Sequence, residues 1–290
     1  MRLSLTLFVL ALMAPAAASA APCDRLNAAQ KKIALKIFAA TYPYDCCDET
    51  LDRCLRQKKV CKLARRLRDD VCRRLGRNQA AAKIKDALAR RARSMTAVGK
   101  KLAADLSLGK PAGAANAPVA VVLYACARCP FCSKVVPDLY RKVTSGGLKG
   151  KVKLHFRSFP IRSHAGAKEG GMAFVAAQKL GKGWPFIIKL YAEFGSFSKD
   201  KLPAWAAAVG MDRAAFVKEM KSRANVKLLV ASKKEGLRNK VKATPTLFIN
   251  GRRYYGDLDP ETLLDVLDEE ADRLAKRRYA GKAGGGDIFK

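Results

Sequence analysis

Two patterns of apolar and polar residues follow one another along the chain, and they change near residue 110. Before that point, apolar residues recur every three or four positions, and Lys and Arg dominate the positions between them. This spacing is typical of amphipathic helices. It predicts four helices, over residues 25–42, 48–57, 60–75 and 79–93.

After residue 110, short apolar runs alternate with helical stretches, which is typical of an α/β domain. The run VAVVLY, residues 119–124, has the continuous apolar character of a buried strand. Further strands are predicted at 151–156, 246–249 and 252–255, the last pair joined by an Asn250-Gly251 turn. Helices are predicted at 130–142, from 165 to about 234, and at 260–276.

The segment between Leu108 and Pro118 is rich in Gly, Ala and Pro and separates the two patterns. We therefore predict a change of domain there. The predicted organisation is a signal peptide at 1–20, a Cys-rich helical domain at 21–110, a linker at 111–118, an α/β domain at 119–277 and a flexible basic tail at 278–290.

The first twenty residues resemble an export signal. A positive start at Arg2 precedes an apolar run from Leu3 to Met13, and Ala18-Ser19-Ala20 matches the small-residue pattern of a cleavage site. The apolar run is shorter than the roughly 20 residues that a membrane-spanning helix needs. We expect cleavage after Ala20 and a periplasmic or secreted protein.

The chain is strongly basic, with 57 Lys and Arg against 25 Asp and Glu, a net charge of +32. Such a charge raises the hypothesis of nucleic-acid binding. Export argues against it, and no basic stripe interleaved with aromatic residues is visible. A solvated basic surface is one interpretation, and attraction to an anionic envelope surface or to acidic client proteins is the other.

Six of the nine cysteines lie in the first segment. Outside the cytosol, disulfides form and persist, and a small helical segment with a limited core benefits from them. Structural disulfides are therefore the first interpretation, with a metal or cluster site and a redox relay as alternatives. Six cysteines allow fifteen connectivities, so the pairing stays open. These residues are Cys23, Cys46, Cys47, Cys54, Cys61 and Cys72.

A C-x-x-C pair, Cys129 and Cys132, follows the first predicted strand and opens the next helix. Unpaired backbone N–H groups and the helix dipole favour a thiolate at that position. C-x-x-C thiols in such settings have pKa values from about 3.5 to about 7. Pro130 suits the first helical position. We expect Cys129 to be the exposed nucleophile and Cys132 the more buried, resolving cysteine.

Competing interpretations of this motif fit less well. Cys126 extends it to C-x-x-C-x-x-C, which resembles part of an iron–sulfur ligand run, but residues 133–290 contain no cysteine. A zinc site lacks an evident fourth ligand. We therefore expect dithiol redox chemistry, with no metal and no cofactor. Cys126 remains open, as a free thiol, a bridge to the first segment, or a third redox thiol.

The motif Thr244-Pro245-Thr246 stands directly before a predicted strand. Together with Cys129-Pro130-Phe131-Cys132 and the helical insertion, it resembles the thioredoxin superfamily, and within it the DsbA-like branch. The resemblance covers residues 116–275. It implies a thioredoxin-like α/β fold with an inserted helical subdomain, here preceded by a small, disulfide-stapled, all-helical segment to which no family attaches.

The resemblance also implies roles for single residues. Pro245 would be a cis proline opposite the cysteines, and Thr244 would contact the client peptide, with Pro130 and Phe131 as further client-binding residues. Strongly oxidising relatives carry His where this chain has Phe131, and Phe cannot hydrogen-bond the sulfur. We therefore expect a potential between about −120 and about −270 mV.

The sequence thus predicts an exported thiol–disulfide oxidoreductase that acts on cysteine-containing client proteins and exchanges electrons with a membrane or soluble redox partner. Whether it is an oxidase, an isomerase or a reductase is left open by the motif. A homodimer formed through the first segment is a further hypothesis. The rival interpretations are a non-enzymatic binding protein on a thioredoxin fold and a cysteine-rich metal or cluster protein.

Overall fold

The computed structural model describes residues 21–96, 102–106 and 109–283. The predicted signal peptide and the last seven residues of the predicted tail lie outside this range. The chain forms two compact units, one up to Ile84 and one from Lys85 onward.

The first unit is built from helices. Asn27 caps the first of them, because its side chain accepts the Gln30 amide while the Gln30 side chain accepts the Asn27 amide. The helices bury one apolar face each, with Ile37, Leu51 and Leu67 almost fully enclosed. Their bounds are α1 Ala28–Ala39, α2 Leu51–Arg56, α3 Lys62–Gly76 and the start of α4, Ala81–Thr96.

Three disulfides cross-link this unit, which confirms the prediction of a disulfide-stapled helical segment. They join Cys23 to Cys72, Cys46 to Cys61 and Cys47 to Cys54. All six cysteines of the first segment are therefore paired with one another.

The second unit is built on a four-stranded sheet with strand order β2-β1-β3-β4. Strand β1 pairs parallel to β2 and antiparallel to β3, and β3 turns at Asn250-Gly251 into the short β4. Val122 and Tyr124 of β1 point to one face of the sheet, where they pack with Phe159, Val241 and Phe248. The strands are β1 Val119–Ala125, β2 Val152–Ser158, β3 Thr246–Ile249 and β4 Arg252–Arg253.

Helices cover the sheet and form the predicted insertion. Helices α5 and α11 pack on each other and on the sheet, and α6 and α10 pack on each other and on β2. The insertion between β2 and β3 contains five α-helices and two short 3-10 helices, where the sequence predicted a helical stretch without dividing it. The bounds are α5 Cys132–Thr144, α6 Ala167–Lys179, α7 Gly183–Ala192, α8 Leu202–Ala208, α9 Arg213–Met220, α10 Arg223–Arg238 and α11 Pro260–Ala283. The predicted α/β thioredoxin-like fold is thereby confirmed.

The division between the units falls inside α4, earlier than the predicted change at 110. The second half of α4 packs with the α/β unit, since Arg91 pairs with Glu269 of α11 at 2.9 Å and Ser94 accepts the Tyr255 amide at 2.8 Å. The predicted linker is also partly built into the sheet, because Ala112 pairs with Leu154 at the edge of β2. Helix α11 runs to Ala283, beyond the predicted start of the tail.

Candidate active site

The C-x-x-C pair lies where β1 passes into α5. The strand ends at Ala125, and a turn follows in which the Cys129 amide donates to the Cys126 carbonyl at 3.1 Å. Helix α5 begins at Cys132, with Phe131 already in helical geometry before it. The backbone N–H groups of Phe131 and Cys132 therefore have no carbonyl acceptor within the helix, and they are available to the Cys129 sulfur.

These contacts set the acidity of Cys129. The pKa of its thiol falls from 9.0 to about 5, first because the Cys132 thiol donates a hydrogen bond to the Cys129 sulfur. Burial opposes the shift, whereas the amides of Cys132 and Phe131 add to it. The Thr244 side chain acts in the same direction as a nearby dipole, although its hydroxyl makes no hydrogen bond to any described group.

The second cysteine behaves in the opposite way. Cys132 is fully buried, and burial raises the pKa of its thiol far above the usual range. The negative charge on Cys129 and the hydrogen bond to it reinforce the effect, against a smaller contribution from the Cys126 amide. One sulfur of the pair is thus held as a thiolate at neutral pH and the other as a thiol.

The expectation that Cys129 is exposed is wrong. The residue is only 2% exposed, because its sulfur lies 3.2 Å from the Thr244 carbonyl oxygen, to which only the protonated form of Cys129 can donate. The exposed groups are its neighbours in the motif, Pro130 and Phe131, the latter with 69% of its surface accessible.

The segment before β3 faces the cysteines, as the resemblance implies. The Thr244–Pro245 peptide bond is cis. Thr244 is buried and Pro245 is half-buried. The Cys129–Thr244 contact joins residues 115 positions apart in the chain, so β1 and β3 must be paired before this site exists.

The motif also contains a cation whose surroundings the sequence did not reveal. The Arg128 guanidinium lies 4.4 Å from the ring centre of Phe194 and 4.3 Å from that of Phe197, and it donates to the Phe194 carbonyl at 2.6 Å. Burial lowers its pKa. The insertion thereby packs directly against the turn that carries the cysteines.

The odd cysteine, Cys126, is a free and fully buried thiol. Burial raises its pKa. It does not bridge to the first segment, since the six cysteines there are paired with one another. The buried Tyr191 hydroxyl donates to the Cys126 carbonyl at 3.1 Å and so supports the turn before Cys129.

Neither histidine takes part in this arrangement. His155 is buried in β2, and its two ring nitrogens have no hydrogen-bond partner among the described residues. Burial first, and then the charges of Arg157 and Lys153, lower its pKa to about 4, so it is neutral. His164 lies in the loop before α6.

A buried cluster of polar and charged side chains lies between β1, β2 and α10, and the apolar sequence of β1 did not predict it. The Tyr124 hydroxyl donates to Glu235 of α10 at 2.6 Å, and Arg157 of β2 approaches the same carboxylate at 3.3 Å. Burial first, and then the hydrogen bond to Glu235, raise the pKa of Tyr124. The Asp105 amide donates to the second Glu235 oxygen at 3.1 Å. The cluster joins both sheet strands to the insertion.

The family model described as Thioredoxin matches residues 109–269, more than half of the chain. The chain belongs to the thioredoxin family. Its thioredoxin-family region begins where β2 pairs with the segment around Ala112 and ends within α11.

Solved structures share the fold of this thioredoxin-family region. The thiol-disulfide exchange protein alpha-DsbA2 from Wolbachia pipientis matches with a TM-score of 0.50 and 22% identity, over 65% of this chain and 94% of that one. Oxidised BdbD from Bacillus subtilis matches with a TM-score of 0.53 and 18% identity, over 60% of this chain and 97% of that one. The fold is that of DsbA-like oxidoreductases.

A curated relative is the Na(+)/H(+) antiporter NhaA 1 of Mycolicibacterium gilvum, 28% identical over 167 residues. The match covers 54% of this chain and 25% of the antiporter, so the chain spans about a quarter of that relative's length. Among the described residues, no helix combines the length and apolar character that crossing a bilayer requires.

Proposed function

We propose that the chain is a protein thiol–disulfide oxidoreductase that uses Cys129 and Cys132 as its redox pair. The observation that carries this proposal is the contrast within the pair, with the pKa of Cys129 lowered to about 5 and that of Cys132 raised by burial. A structural disulfide needs no such contrast. A nucleophile with a lowered pKa beside a protonated partner is what exchange chemistry requires.

The exchange proceeds in two balanced steps. In the oxidising direction, a client thiolate attacks the Cys129 sulfur of the disulfide, a client–Cys129 bond forms, and Cys132 leaves and takes up a proton. A second client thiolate then attacks the client sulfur of that mixed disulfide, and Cys129 leaves as a thiolate. The client gains a disulfide, and the pair gains two electrons.

The low pKa of Cys129 favours this direction. It stabilises the reduced pair as a thiolate, and a redox pair whose reduced form is stabilised is a stronger oxidant. Phe131 and Pro130 are exposed beside the nearly enclosed sulfur, which supports their assignment as the first contacts of a client chain. Thr244, whose carbonyl oxygen lies 3.2 Å from the Cys129 sulfur, would then offer its backbone to the client.

The cellular setting is part of the proposal. The export signal predicted at residues 1–20 and the three disulfides of the first unit both favour a periplasmic or secreted protein. The clients would be exported proteins with cysteines, and a separate redox partner would reoxidise the pair. The surplus of Lys and Arg would favour acidic clients or an anionic envelope surface.

Insulin reduction in the presence of dithiothreitol tests the proposal. Wild type is expected to accelerate precipitation of the insulin chains, and C129S is expected to lose that acceleration. C126S is the matched control, because it removes a neighbouring buried thiol outside the pair. Equal rates for wild type and C129S would favour the rival interpretation, a thioredoxin-fold binding protein without redox activity.

A further inference from the structure

The three disulfides of the first unit differ in how accessible their sulfurs are. Cys72 and Cys54 are each 1% exposed, and each pairs with a half-buried partner. Cys46, by contrast, is exposed, and its partner Cys61 is half-buried. The Cys46–Cys61 bridge is thus the one in this unit that places no sulfur in the core.

Burial decides what happens when a thiol attacks such a bridge. Attack on the accessible sulfur of either sheltered bridge would release Cys72 or Cys54 as a thiolate inside the apolar core. A buried, unpaired charge is strongly disfavoured there. Attack on Cys46 releases Cys61 instead, at the surface.

The position of Cys61 favours its release as a thiolate. Cys61 is the N-cap residue of α3, and its sulfur accepts the Ala64 amide at 3.3 Å. Helix N-termini stabilise negative charge, and thiolates at such positions are favoured over thiols. The exposed Lys58 and Lys59 lie three and two residues before it in the sequence and add positive charge.

The charges around Cys46 have the opposite sign. The exposed Asp45, Asp48 and Glu49 flank it in the sequence, so a thiolate is disfavoured at Cys46. These carboxylates also repel an incoming thiolate, but the repulsion is weak because they are in water. Because acidic residues flank Cys46 and basic residues lie near Cys61, Cys61 is the better leaving group of the two.

From these observations we propose that Cys46–Cys61 is a second redox-active site, at which an external dithiol reduces the first unit. One thiolate of the dithiol attacks the Cys46 sulfur, a mixed disulfide forms, and Cys61 leaves as a thiolate. The second thiolate of the dithiol then attacks the dithiol's first sulfur, which is bonded to Cys46 in that mixed disulfide, and Cys46 leaves as a thiolate. The dithiol becomes a disulfide, and the Cys46–Cys61 pair takes up two electrons. This assignment is independent of the activity proposed for Cys129 and Cys132.

Differential alkylation of the full chain tests the assignment. The C129S/C132S variant removes the other reducible pair, so that limiting dithiothreitol acts on the three bridges alone. The reaction is quenched with acid at successive times, and the freed thiols are alkylated. Tandem mass spectrometry then gives the opening rate of each bridge, with fragmentation between the adjacent Cys46 and Cys47 to tell their two bridges apart. Cys46–Cys61 is expected to open about tenfold faster than the other two. Equal opening rates, or slower opening of this bridge, would overturn the proposal.

Two further measurements test the direction of attack. With mercaptoethanol, the trapped adduct is expected mainly on Cys46, and an adduct mainly on Cys61 would contradict the assignment. K58Q/K59Q is expected to slow opening by about twofold to fivefold, since it removes charge near the leaving thiolate. The control K31Q/K32Q, on the exposed face of α1, is expected to open at the wild-type rate. Equal rates for the two lysine variants would refute the leaving-group role of Cys61.

Discussion

The acidity of Cys129 gives the sharpest prediction, because its largest cause is a single hydrogen bond from the Cys132 thiol. C132A removes the donor, whereas C132S replaces it with a hydroxyl that still donates. A hydrogen bond to a charged group contributes about 1.5–3 kcal/mol, which corresponds to about one to two pKa units. The pKa of Cys129 is therefore expected to rise from about 5 to between about 6 and about 7 in C132A and to stay near the wild-type value in C132S.

The assay is a pH titration of the reduced protein, followed by the ultraviolet absorbance of the thiolate and by the rate of alkylation of Cys129. Cys126 does not interfere, because burial raises its pKa, and C129A supplies the baseline. Equal pKa values in C132A and C132S would refute the assignment of the shift to this hydrogen bond. A wild-type step near the ordinary thiol pKa would refute the whole account of the site.

The same shift predicts how stability depends on pH. The folded pKa of Cys129 lies below its value of 9.0 in the unfolded chain, so the thiolate stabilises the reduced fold above about pH 9, and this contribution is lost as the pH falls through about 5. The free energy of unfolding of the reduced protein should fall by about 2 kcal/mol between about pH 7 and about pH 5. The oxidised protein has no thiolate there and should lack this component, which paired denaturation curves would reveal.

Three further predictions concern the surroundings of the pair. T244V is expected to raise the pKa of Cys129, because it removes a dipole that favours the thiolate, and a titration unchanged from wild type would contradict this. G170A is expected to destabilise the fold by about 1–3 kcal/mol, because the added methyl would lie 2.7 Å from the turn before the cysteines. Its control G195A adds a methyl with open space around it and is expected to be neutral in urea denaturation. E235Q is expected to cost about 3–5 kcal/mol, since it removes the carboxylate charge 3.3 Å from the buried Arg157, and a urea midpoint equal to that of wild type would exclude this.

Local patterns in the sequence were sufficient to predict the elements of the fold and the position of the C-x-x-C pair between β1 and α5. The apolar run before Cys129, the C-x-x-C spacing and the Thr244-Pro245 motif each act over a few residues, and each predicted an element that the structure contains. Periodicity also predicted the helical insertion. Such patterns can be recognised in the sequence because a helix or strand that buries one face repeats its apolar residues with the period of that element.

The environment of those residues was decided by contacts between distant parts of the chain. The Thr244 carbonyl that encloses Cys129, the Phe194 and Phe197 rings that hold Arg128, and Glu235 behind β1 all come from far along the sequence. The pairing of the six cysteines was open for the same reason. Which side chains meet depends on how helices and strands pack, and that packing leaves no periodic trace in the sequence. The sequence by itself therefore determined where the candidate redox cysteines lie along the chain, whereas the tertiary structure decided how buried and how acidic they are.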